Sequence, residues 1–167
     1  MPLTFVVGTA ADAFKGDLAA SIENELRARY SFVPAAIAEP YESEPVPVGG
    51  WRELQGLMQT MLGTSRLSQV EAYQAVFIPG FLDGVDHVEV PAVADPLQVA
   101  SLEMLVDELR RFASQAQLPT DDLELMQLAA DYLESAGDTE LDFQTYVQLM
   151  LSAKQAIARK QALWIVS

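Results

Sequence analysis

Ala162-Leu163-Trp164-Ile165-Val166 is a run of five apolar residues, rich in aromatic and β-branched side chains. Such side chains favour a strand, and the lack of polar alternation means that both faces of that strand are covered. The other end of the chain carries a counterpart, Leu3-Thr4-Phe5-Val6-Val7, stopped by Gly8. Strands buried on two faces belong to the interior of a sheet, so the two terminal strands are expected side by side in its middle.

Between them the chain alternates helical and extended patterns. Thr9 or Asp12 can cap a helix in which Phe14, Leu18, Ile22 and Leu26 recur every four residues. Tyr30 to Ile37 reads as a strand interrupted by Pro34. Glu39 to Gly50, with three prolines and two glycines, reads as an extended loop. Trp51, Leu54, Met58 and Met61 mark a helix that stops at Gly63, and a shorter helical piece follows around Leu67 to Tyr73.

Val76-Phe77-Ile78 and Val85 to Val90 flank Asp83-Gly84, the composition of a two-residue type I′ hairpin turn. Pro79 and Pro91 remove ladder donors and place this hairpin at a sheet edge. Asp95-Pro96 then has the form of a helix start, followed by a stripe of Val99, Leu102, Val106, Leu109 and Ala113. After Leu118-Pro119, the acids Asp121 and Asp122 favour a helix N-terminus ahead of Leu125, Leu128, Ala129 and Tyr132. Ser135 to Asp138 reads as a turn. Asp142 is expected to cap a last helix carrying Phe143, Tyr146, Val147, Met150 and Ile157, with Arg159 and Lys160 at its negative end.

The expected fold is α+β, or an irregular α/β: a small mixed sheet with the terminal strands central, packed by about five helices, with a helical C-terminal third. Residues 1–167 are expected to form a single acidic domain. Half of the residues are apolar, which supports a core and argues against general disorder. Without a single cysteine, the chain can hold no disulfide and no thiolate metal site. Met1 to Gly8 lacks the basic start of a signal peptide, and no apolar run approaches the roughly 20 residues of a membrane span. The expectation is therefore a cytoplasmic chain, neither secreted nor embedded in a membrane.

The net charge of −14 is unevenly placed. Residues 83–142 carry fifteen acids against Arg110 and Arg111, whereas residues 143–167 carry three cations and no acid. Such a field disfavours nucleic acid and anionic membranes and suits a basic protein partner.

Asp83, Asp86, His87 and Glu89 form the one short grouping with metal-ligand chemistry, able in principle to hold Mn²⁺, Mg²⁺ or Zn²⁺. Alternation along a strand puts His87 and Glu89 on one face and Asp86 on the other, so a solvated edge accounts for the same residues. The lone histidine is the default general base, yet no nucleophile elbow is present to pair with it. Gly8-Thr9-Ala10-Ala11 opens a helix after a strand but has neither phosphate-loop pattern, and reads as a plain turn. Residues 134–145 resemble no calcium loop: Thr139 and Thr145 stand where the turn glycine and the bidentate glutamate are needed.

The acids Glu103, Asp107, Asp121, Asp122, Glu124, Asp131, Glu134, Asp138 and Glu140 lie mostly off the apolar stripes. A merely solubilising surface mixes signs, and this segment has almost no cation of its own. The functional expectation is thus a non-enzymatic protein-binding domain without a cofactor, its acidic helical face docking a basic protein, with an antitoxin- or immunity-type inhibitor as one concrete form. The alternative is a small metal-assisted enzyme or ligand-binding domain built on Asp83, His87 and Glu89.

Overall fold

A computed structural model describes residues 2–32, 35, 39–63, 65–71, 75–80, 82–91, 93–134 and 141–167 of the protein. Strand β1 (Pro2–Gly8) and strand β7 (Ala162–Val166) pair antiparallel over five residues, from Thr4 opposite Val166 to Gly8 opposite Ala162. The Trp164 indole N–H also donates to the Gly8 carbonyl at 2.9 Å, tying the two strands by a side chain. They lie inside a mixed sheet, as their largely apolar composition implies.

On one side β1 is edged by two short strands, β2 (Tyr41–Glu42) and β3 (Val46–Pro47). On the other side β7 meets β4 (Ala75–Ile78), followed by β6 (Leu97–Ser101) and finally β5 (Asp86–Val88). Among the described residues the one parallel pair is β4 with β6.

Helices cover both faces. Leu3, Phe5, Val7, Phe77, Leu163 and Ile165 pack on the side of α3 (Val48–Leu62), α5 (Leu102–Ala116) and α7 (Leu141–Arg159). Val6, Val76, Val99 and Trp164 face α1 (Ala10–Ala13) and α2 (Asp17–Arg29). Helix α7 is the centre of the thicker layer, and every residue from Gln144 to Ala153 is buried. Helix α6 (Asp122–Glu134) lies outside it and packs on α7. Among the described residues, the four-residue pieces α1 and α4 (Arg66–Gln69) accompany five helices of 13 residues or more.

Several local expectations are corrected. Val76–Ile78 and the strand after Asp83-Gly84 do not form a hairpin: β6 lies between β4 and β5 and pairs with both. Gly84 has φ +93°, but Asp83 is not in the left-handed region, so the type I′ requirement of two such residues fails. The edge position holds for β5, whose one sheet neighbour among the described residues is β6, while β4 is interior.

Asp95-Pro96 precedes a strand, not a helix. All five residues of β6 are buried, and burial from both sides overrides the helical spacing that runs on from Val99 to Leu102. The helix begins at Leu102 instead, capped by Ser101, whose Oγ accepts from the Met104 N–H at 3.3 Å.

The first helical stripe is split at Phe14, where α1 ends, and restarts after Gly16 at φ +64°. The Glu39–Gly50 loop contains β2 and β3, and α3 begins within it at Val48. Helix α4 spans Arg66–Gln69, while Ala72 and Tyr73 lie outside the described residues. Of the strand expected over Tyr30–Ile37, Tyr30 to Phe32 form none, and Val33, Pro34, Ala36 and Ile37 lie outside the described residues. So does the Ser135–Asp138 turn. Asp142 sits in the first turn of α7 and not at its cap.

The strand-to-helix junction at Ser101 gives a test. Its fully buried hydroxyl caps α5 and donates to the Gly80 carbonyl at 2.6 Å. Ser101→Ala is expected to cost about 2 kcal/mol, read as a lower urea midpoint with an unchanged slope.

Candidate acidic interaction surface

Helix α6 gathers five of the acids singled out in the sequence. Asp121 caps it, its Oδ2 accepting from the Leu123 and Glu124 N–H groups at 3.1 and 3.3 Å. Asp122 pairs with Lys154 of α7, which also donates to the Thr120 carbonyl. Asp131 accepts from Gln127 at 2.9 Å, and Glu124 and Glu134 are exposed. Glu103 and Asp107 lie on a different helix, α5, where Glu103 accepts from the Gly80 N–H at 2.9 Å and Asp107 pairs with Arg111 at 3.3 Å. Asp138 and Glu140 lie outside the described residues.

The fixed position of α6 follows from its contacts with α7. Leu125 is fully buried, Leu128 and Ala129 pack against the core, and the Tyr146 hydroxyl donates to the Pro119 carbonyl at 2.7 Å just ahead of the helix. Burial pushes the Tyr146 phenol up to about 12, so this donor keeps its proton across the physiological range.

The outer side of α6 is not simply polar. Leu123, Met126 and Leu133 are 77%, 58% and 60% exposed. With exposed Ala130 they follow a 3-4-3 spacing, which at about 100° per residue makes one stripe. The same geometry sets Glu134 at the border of that stripe, with Asp131 and Glu124 further round on the same side of the helix. Grooves flank it. One, of about 510 Å³, lies between Leu118-Pro119 and the Glu124 side of α6. The other, of about 110 Å³, lies between Pro45–Pro47 and the Leu133 side.

No protein-family model, no curated protein and no solved structure matches the chain. The reading of the surface therefore rests on its own chemistry.

The Asp83–Glu89 segment supplies little for a metal. Asp83, Asp86, His87 and Glu89 are all exposed, and Asp86 accepts from the Tyr30 hydroxyl at 2.8 Å. Burial and this carboxylate push the Tyr30 phenol up. Among the described residues no group of three or more His, Asp or Glu side chains could hold a metal ion. At the strand-to-helix turn, the Thr9 N–H and hydroxyl both donate to Asp12 Oδ2, at 2.8 and 3.0 Å. A carboxylate thus stands where a phosphate would have to bind. No helix among the described residues is long and apolar enough to cross a membrane.

Sequence reasoning missed three features. The exposed stripe had a signal: apolar residues occur all round α6, more than one buried face can use. Gln144 had none; it is 2% exposed, and among the described residues neither its amide nitrogen nor its oxygen has a partner. The third is Glu108, buried on α5 within the acidic third of the chain. It accepts from the Arg66 backbone N–H at 2.8 Å and from its guanidinium at 3.2 Å.

Burial is the largest influence on Glu108 and pushes its carboxyl above the usual range, against the lowering effect of Arg66. The folded chain therefore holds this proton to higher pH than the unfolded chain does. Stability falls as pH climbs from the ordinary glutamate value of about 4.3 through the raised one. Glu108→Gln removes that titration. Unfolding midpoints measured across this window should show the wild type losing ground to the variant as pH rises.

Proposed function

We propose that the chain is a non-enzymatic protein-binding domain whose acidic helices dock a basic protein. What carries this reading is the charge along the outer side of α6. Glu124, Asp131 and Glu134 are exposed there, while the two arginines of residues 83–142 both lie on α5. Among the described residues none of these three carboxylates is in an ion pair, and such self-repulsion is relieved by a cationic surface from outside. The same field would speed encounter with that partner and weaken as salt rises. An inhibitor of the antitoxin or immunity type, covering the cationic cleft of an enzyme, is one concrete form.

The test is capture on the immobilised protein from a lysate of the source organism, with elution at rising salt. The captured protein is then purified and titrated against variants. Combined Glu124→Lys, Asp131→Lys and Glu134→Lys substitution is expected to weaken binding about tenfold or more and to flatten its salt dependence. An affinity that neither the reversal nor salt alters would overturn the proposal.

A further inference from the structure

The outward stripe of α6 has a spacing that the charge reading leaves unused. Leu123, Met126, Ala130 and Leu133 stand three, four and three residues apart, the a/d pattern by which one helix seats another. A helix of a compact chain ordinarily turns such residues inward. Here the inward side is a separate set, with Leu125 buried and Leu128 and Ala129 packed on the core. The four outward positions are therefore surplus to the fold. In the same heptad frame, Glu134 takes an e position, and Glu124 and Asp131 the b positions beyond it.

We infer that the α6 stripe is a docking seat for a single amphipathic helix, with apolar residues at heptad spacing and lysine or arginine along the flank that meets Glu134 and lies toward the field of Asp131 and Glu124. This deepens the reading of the chain as an acidic protein-binding domain and rests on it. Small Ala130, between the larger Met126 and Leu133, lets the incoming backbone approach closely there. At the far end, Leu133 lines both the stripe and the 110 Å³ cavity against Pro45–Pro47, which gives the partner helix a recess for one anchoring side chain.

The bordering charge selects among occupants. A second copy of this chain would bring its own row of acids against the first, within a molecule of net charge −14. An uncharged apolar helix would fit the stripe but leave the acids without partners. A cationic amphipathic helix satisfies both the apolar and the charged part of the seat.

The probe is a synthetic two-heptad peptide with leucine at a and d and lysine at e and g. Its controls are a scramble of the same composition and a version with glutamate at e and g. Titrated into the ¹⁵N-labelled full chain, the basic amphipathic peptide should shift α6 resonances saturably. The scramble should not, and the glutamate version should bind at least tenfold more weakly. Leu123→Ser with Met126→Ser should weaken the peptide by a similar factor while the melting temperature stays unchanged. Shifts scattered over the acidic surface, or equal binding by the scramble, would overturn the seat. A dimer in sedimentation that the same serine pair dissolves would overturn the choice of occupant.

The two proposals fail separately. If the lysate-captured partner is lost on reversing the acids but kept by the serine variant, basic-protein binding stands and the α6 seat falls.

Discussion

The antiparallel pairing of β1 with β7 is the constraint on which the remaining structure depends. It joins residues more than 150 positions apart and fixes the middle of the sheet. Its alternating side chains are shared between two separate cores: Phe5, Val7, Leu163 and Ile165 go to the α3, α5 and α7 side, and Val6 and Trp164 to the α1–α2 side. Moving either strand by one residue would exchange these sets and put Trp164 into the wrong layer. The indole bond to Gly8 reinforces the register at the end of β1 where the chain leaves for α1.

This part of the fold was legible because a strand buried on both faces writes its state directly into an apolar run. The long helices were legible for the same kind of reason. What the sequence concealed was non-local. Val76–Ile78 and Asp86–Val88 carry good strand residues around an Asp-Gly pair, and nothing local reveals that Leu97–Ser101 inserts between them. Nor does anything local separate a capped helix from a short strand that passes into a helix at Ser101, since apolar spacing continues across the junction. The deciding quantity is burial from both sides, which only the assembled sheet supplies.

The surface was readable by sign but not by shape. Counting charges located the acidic third, yet it could not distinguish Glu108, sealed against Arg66, from Glu124 or Glu134 in water. Nor did it separate the acids of α5 from those of α6, which stand on different helices around α7. The apolar stripe was present in the residues themselves. It was obscured because the inward set of Leu125, Leu128, Ala129 and Tyr132 already accounts for a helix, and a second apolar stripe reads as redundancy until exposure is known.

The place of β7 in the sheet also bears on how the chain is made. Of the described strands it is the last to be synthesised, and it is the bridge between β1 and β4. Until Ala162–Val166 has emerged, the inner edges of β1 and β4 have unpaired backbone and apolar faces, the arrangement most open to pairing with other chains. Vectorial synthesis thus cannot complete the fold piece by piece from the N-terminus. The joining of the β1 side of the sheet to the β4 side waits on five residues, and a chain that stops just short of them has two open strand edges and no β7 to close them.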